Sequence, residues 1–442
     1  MSVPGRSSFL NSLRATPRRV HRWCHLLAPA LVWSCAGQSD RGPTIVTFPG
    51  SSLGAEAEVL NRQLARFNAD HPAIRVVRRD TPDAADQRHQ LYVQWLNAGA
   101  SDPDILQLDA IWTPEFAAAG WILPLDRFGP DTASFFPSAI QANRWRDSLF
   151  ALPWFVDVGM LYWRTDLIPS APNTLGELVS LAKRARQQHR LRYGLVWQGA
   201  RYEGLITNFV EYLGAYGGQI LEGGRVVVNS EAGRLALTEM RNEIYRDGIV
   251  PSAALTWHEE ESRFAFQNGE SAFMRNWPYA VGLMRDSTKS RVAGKFSVAA
   301  MPAGPGGRPT AALGGAQLAI NRHTESPEAA WAVIDYLTQP EQMRERARVV
   351  GQFPSRVALY DGEGLKAELG LPTDAVRRVI EYAVPRPVTP VYNQLSEILQ
   401  INLHRALTRQ TTPEVALARA QSEMQNLLNR VGLGTGVATA RR

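Results

Sequence analysis

Apolar positions along this chain fall into two rhythms that keep exchanging. Ile45 to Phe48 is a short continuous apolar run, and the stretch after it carries Leu60, Leu64 and Phe67 at helical spacing. Pro72 closes that unit, Ile74-Arg75-Val76-Val77 reads as the next strand, and a helix is predicted over Arg88 to Ala98. The turn Ser101-Asp102-Pro103-Asp104 leads into a strand from Ile105 to Leu108. Strand–helix–strand–helix order of this kind predicts an α/β domain with a mainly parallel sheet.

A second α/β unit follows. Met160 to Trp163 is an apolar, aromatic run, and Thr174 to Glu177 has the spacing of a capping box ahead of Leu178, Leu181 and Ala185. Tyr193 to Val196 predicts a strand, and Asn208 to Tyr216 a helix ended by Gly217-Gly218. Val226 to Val228 is short enough for an edge or a hairpin. Pro302 to Pro309 reads as a crossing or surface loop, with a strand over Gln317 to Ile320 beyond it. Ser326-Pro327-Glu328 and Thr412-Pro413-Glu414 each open a helix with cap and proline in their preferred places. The second of these turns Leu417, Ala420, Met424 and Leu427 inward.

One stretch breaks both rhythms. Phe264 and Phe266 precede a turn at Asn268-Gly269, Ala272-Phe273-Met274 is a short strand, and the chain then breaks at Trp277-Pro278. Proline pushes the residue before it towards extended backbone, which sets a flat indole just past a strand end. Strand-end loops of α/β sheets commonly bind ligands. Trp277 therefore either caps a core or faces a ligand.

Composition narrows the choice. The 442 residues suffice for two or three domains, and 45% hydrophobic with 20% charged residues is ordinary for a globular protein. The net charge of +6 is carried almost wholly by residues 1–34, which hold five arginines and no acid. The remainder has 43 basic and 42 acidic residues, so no nucleic-acid partner is expected. Residues 1–34 have the form of a signal peptide, with arginines up to Arg22 and an apolar run from Trp23 to Trp33. Ser34-Cys35 resembles a lipobox, so Cys35 is expected to carry the lipid and to be the only membrane attachment. Cys24, the other cysteine, would leave with the signal, and no internal disulfide is expected.

Few motifs carry chemistry. Gly50-Ser51-Ser52-Leu53-Gly54 matches a nucleophile elbow, yet too few residues precede it for the sheet such an enzyme needs. A glycine-rich loop offering backbone N–H groups to a polar ligand fits better. His258-Glu259 lacks the second histidine of a zinc-protease helix, and no metal or cofactor is expected. Asp109 and Asp157 each follow an apolar run and sit beside aromatic residues. They could act as a glycosidase pair, accept hydrogen bonds from sugar hydroxyls, or serve as caps and ion-pair partners.

Four stretches carry a family resemblance: 101–109, 194–205, 273–280 (with Asn-Trp-Pro-Tyr-Ala) and 383–400 (with Pro-Arg-Pro-Val-Thr-Pro). Through them, from about Thr44 to Leu428, the chain resembles extracytoplasmic sugar-binding proteins of ABC importers, in particular the trehalose/maltose-binding group. The resemblance implies a periplasmic-binding-protein-like α/β fold of two discontinuous lobes, with the ligand cleft between them and a hinge joining them. Residues 42–153 and 303–357 would form one lobe, 154–302 and 358–442 the other. It implies a disaccharide ligand such as an α-glucoside, a membrane permease as partner, a monomer, and no catalysis. Positions matching the family's sugar contacts are Glu56, Arg88, Asp109, Asp157, Trp277, Gly315 and Arg386, with Tyr202 and Glu203 secondary. Two departures stand out. Ala316 occupies a position where relatives have a stacking tryptophan, and Phe155 one where they often have tyrosine. A glycoside hydrolase, or a binding protein for a polyol or phosphate ligand, remains the rival reading.

Overall fold

The computed structural model describes residues 42–50, 55–82, 85–361 and 364–434. The expected signal segment, Cys35 and Ser51 to Gly54 of the glycine-rich loop lie outside them. The first strand, Thr44–Gly50, pairs in parallel with Ile74–Asp80, and helix Glu56–Asp70 joins the two. Val59, Leu60, Leu64 and Phe67 are buried on that helix, each contributing about 1.5–3 kcal/mol by leaving water. Asp104 ties the next strand to this pair, accepting from the Thr47 N–H at 2.7 Å and its hydroxyl at 2.8 Å.

Two larger sheets follow, and neither is mainly parallel. In the first, the long strand Ala311–Ile320 is flanked by Ile105–Asp109 and Leu152–Val158, both antiparallel to it. Phe353–Pro354 extends the edge antiparallel, and only Ala383–Val384 joins parallel. The second sheet runs in the order Phe296–Ala299, Met160–Arg164, Ser271–Asn276, Tyr193–Val196, and only its last pair is parallel. The expectation of a parallel sheet fails for a physical reason. Helical crossovers make parallel neighbours, whereas here Leu152–Val158 runs straight into the second sheet and Ala311–Ile320 comes back from it.

Gly159 alone separates strand Leu152–Val158 of the first sheet from Met160–Arg164 of the second. Its N–H donates to the Ala312 carbonyl at 3.0 Å, and Ala312 also lies opposite Val384. The ends of three strands of the first sheet thus meet at one residue, Ala312, at the crossing through Gly159.

The helices show where periodicity is and is not informative. Leu175–His189 is capped by Thr174, whose hydroxyl accepts from the Glu177 N–H at 3.1 Å, but Glu177 reaches back to the Asn173 N–H rather than that of Thr174. Helix Glu203–Ala215 begins well before the predicted Asn208, because it is buried nearly all round and shows no amphipathic stripe to mark its start. Glu259–Gln267 is a helix, not only the approach to a turn, and leaves Phe264 half exposed. Pro327–Leu337 has its N1 proline, while the Ser326 side chain makes no cap bond. Pro413–Arg430 is capped by Thr412 and buries Leu428 rather than Leu427. Among the described residues no helix is long and apolar enough to cross a membrane.

Candidate ligand-binding site

Strand register builds the first wall of the site. Asp157 lies opposite Gly314, Phe155 opposite Ala316, and Ala316 opposite Asp109 on its other flank. Paired residues share a face, so Asp109, Phe155 and Asp157 stand around a strip of nearly bare backbone at Gly314 and Ala316. Gly315 alternates to the opposite face and is there for the backbone. Its φ is +116°, and a Cβ would lie 2.3 Å from the Phe155 carbonyl oxygen. Its own carbonyl accepts from the Ala110 N–H at 3.2 Å, fixing the turn after Asp109.

Trp277 supplies the second wall. Its ring atoms come within 3.3–3.5 Å of where a side chain on Gly314 would begin, and the Asp157 Cβ is equally near that point. The indole is half-buried and pinned. Its N–H points to Glu259 Oε1 at 3.3 Å, its carbonyl accepts from the Tyr162 hydroxyl at 2.7 Å, and the Arg275 guanidinium lies 4.1 Å from the ring centre.

Charge is concentrated on the first wall. Glu56 accepts from Gln352 at 2.6 Å, and Gln352 accepts from the Arg346 Nε at 2.7 Å. Arg346 is fully buried, with its guanidinium 3.8 Å above the Trp154 ring. Its two terminal nitrogens and Asp157 Oδ1 are buried with no hydrogen-bond partner among the described residues. Burial first, then the neighbouring Glu56 and Asp109, raise the Asp157 pKa to about 7, against the pull of Arg346. Burial lowers that of Arg346 to about 10, although Glu56 and Asp157 oppose the change. Polar atoms left like this cost free energy until something hydrogen-bonds to them.

Arg386 links Asp109 of the first wall to Glu203. It donates to Asp109 at 2.9 Å and to Glu203 at 2.8 Å, and Glu203 also accepts from Tyr392 and Ser396. Burial opposes the charge on Arg386, but Asp109 and Glu203 hold its pKa above the ordinary value. A parallel clasp lies nearby, where Glu115 receives Asn393 at 2.8 Å and sits 2.9 Å from the His89 ring nitrogen. Glu203, the secondary candidate, thus anchors Arg386. Tyr202 packs on His258, with ring centres 4.4 Å apart. Arg88 stands in a separate aromatic cluster, 5.5 Å from the Trp112 ring and donating to the Pro82 carbonyl at 3.0 Å.

Three site residues escaped the sequence reading: Arg346, Gln352 and Glu259. Arg346 carried a signal. On helix Pro340–Val350 the inner face is Met343, Ala347 and Val350, and Arg346 falls on that stripe. A separate cleft of about 700 Å³ lies between Leu213, Ile220, Arg308 and the segment Val384–Pro390. It shares only Arg386 with the predicted set and is lined mainly by glycine and apolar residues.

Comparison with known proteins agrees with this geometry. Residues 51–344 match the family of bacterial extracellular solute-binding proteins. A probable ABC transporter-binding protein of Deinococcus radiodurans is 35% identical over 364 residues, covering 79% of this chain and 86% of that one. A maltose-bound MalE3 of T. maritima superposes with a TM-score of 0.81 at 40% identity, covering 87% of this chain and all of that one. A Thermotoga lettingae ABC transporter solute-binding protein bound to α-D-tagatose gives 0.77 at 25% identity, again covering 87% of this chain and 100% of that one. These are binding proteins, not enzymes, which removes the hydrolase reading of Asp109 and Asp157. The chain belongs to the bacterial extracellular solute-binding proteins and is the extracytoplasmic, solute-capturing component of an ABC transporter.

Proposed function

We propose that the chain captures a disaccharide of the maltose or trehalose type between two lobes that close on a hinge and present the closed form to a membrane permease. One lobe is built on the sheet that holds Ala311–Ile320 and the other on the sheet that holds Met160–Arg164, and the chain crosses between them at Gly159. The observation that carries this reading is the pairing of Trp277 with the bare Gly314 strip beside buried Asp157 and Arg346 atoms that have no partner among the described residues. An indole face packs on the C–H face of a pyranose, while carboxylates and guanidinium groups take the hydroxyls at its rim. Asp109, Asp157, Trp277 and Arg346 form the proposed contact surface, with Glu56 and Arg386 held beside it and Gly315 shaping its backbone, while Arg88 stands apart. Ligand that contacts both lobes binds the closed state more tightly and shifts the population towards it.

Ala316 leaves space where an aromatic ring would otherwise stand, which favours maltose or a longer α-linked sugar over trehalose. A thermal-shift screen over α-linked disaccharides, maltooligosaccharides and polyols tests the assignment. A sugar at 100 times its Kd should add about 2.7 kcal/mol of stability. A shift with polyols and none with any sugar would replace the reading. Lipid anchoring at Cys35 predicts that Cys35→Ser frees the protein from the membrane fraction; retention there would refute it.

A further inference from the structure

Beneath the indole of Trp277 lies a buried ion pair, Arg275 with Glu211, neither of which is a candidate ligand contact. The Arg275 side chain is 0% exposed and that of Glu211 1%. Arg275 Nε lies 3.0 and 3.1 Å from the two Glu211 oxygens, its Nη2 is closer still to one of them, and its Nη1 donates to Gln198 at 3.3 Å. The same Glu211 carboxylate accepts from the Ala312 backbone N–H at 3.2 Å. Ala312 lies at the crossing between the sheets, bonded to Gly159 and opposite Val384. Gly159 leaves room for this contact, since a Cβ there would fall 1.7 Å from a Glu211 oxygen.

A buried ion pair is a poor way to gain stability, because desolvation consumes most of its attraction. Such pairs are better explained where they fix a register between parts, and this one touches the Trp277 platform at one end and the hinge peptide at the other. We propose that Arg275 and Glu211 are positioning residues that couple stacking of ligand on Trp277 to closure about Ala312, through the chain Trp277–Arg275–Glu211–Ala312. The proposal rests on the sugar-capture reading and says how that capture moves the hinge.

The test uses the full chain with maltose as probe. Glu211→Gln with Arg275→Met replaces both charges by groups of similar shape and should fold with a melting temperature near that of the parent. Its maltose Kd should rise about tenfold, within the usual range of coupling energies, and small-angle scattering should show incomplete closure at saturating maltose. Unchanged Kd and full closure would overturn the coupling while leaving the sugar reading intact. If the unmodified chain failed to bind maltose, the reading beneath the proposal would fall, and the proposal with it. Hydrogen exchange at the Ala312 amide of the unmodified chain is independent of the variant's folding. It should slow when maltose is added, and an unaltered rate would equally reject the coupling.

Discussion

Among the described residues two arginines, Arg275 and Arg346, are completely buried, and they are treated in opposite ways. Arg275, on the second sheet, spends its donors on Glu211 and Gln198 and stacks under Trp277. Arg346, beside the first sheet, has one nitrogen bonded to Gln352 while both terminal nitrogens lack partners among the described residues, next to an Asp157 oxygen in the same state. On the proposed reading, satisfied buried charge belongs to the frame and unsatisfied buried charge marks where a ligand's hydroxyls are wanted. The contrast separates the residues that hold the site from those that read what enters it.

Removing each arginine should expose the difference, and the effect on stability is the largest expected. Arg275→Met leaves Glu211 buried and unpaired, at a cost of about 3–5 kcal/mol. Arg346→Met should cost about 1 kcal/mol or less, because Asp157 already titrates near neutrality and can take a proton instead. Sugar affinity should fall for Arg346→Met all the same. Urea denaturation of the two variants checks the order, and equal losses would break the comparison.

Trp277→Ala comes next. It removes the stacking surface but leaves the Arg275–Glu211 pair satisfied, so the fold should persist while affinity falls by about 2 kcal/mol, roughly 30-fold in Kd. Calorimetric titration against maltose measures this. Unchanged affinity would return Trp277 to the role of a cap over the core.

The same division explains what the sequence could disclose. The alternation of strands and helices was legible because half-buried elements keep a period, as in Glu56–Asp70 and Pro413–Arg430. The start of Glu203–Ala215 was not, since a helix buried on all sides has no stripe. Antiparallel pairing at Ala311–Ile320 was hidden because that strand returns from the second sheet to partners about 200 and about 150 residues earlier in the chain. Asp109, Asp157, Trp277 and Arg386 could be named from motifs, and the structure joins Asp109 to Arg386 and sets Trp277 beside Asp157. Arg346 hid among Arg344 and Arg348, where only its place on the apolar stripe set it apart. Glu211 offered no cue at all, because its partners Arg275 and Ala312 are 64 and 101 residues away in the chain.

The smallest effect concerns protons. Burial and the adjacent Glu56 and Asp109 raise Asp157 from 3.8 to about 7, so the folded chain keeps a proton there that the unfolded chain has already released. Stability from this group is full below about pH 4 and is lost as pH climbs towards 7. Glu243, raised to about 8 chiefly by burial, acts in the same direction. Asp157 is partly open to solvent, so its share is on the order of 1 kcal/mol rather than the full linkage value. Melting curves from pH 5 to 8 should therefore decline, and Asp157→Asn should flatten the slope by its own share while Glu243 keeps the rest. A sugar hydroxyl that donates to Asp157 stabilises the ionised carboxylate, so saturating maltose should flatten the slope of the unmodified chain in the same way. Parallel slopes with and without maltose would place the ligand away from Asp157 and assign its unpartnered oxygen to the frame, against the division drawn between the two arginines.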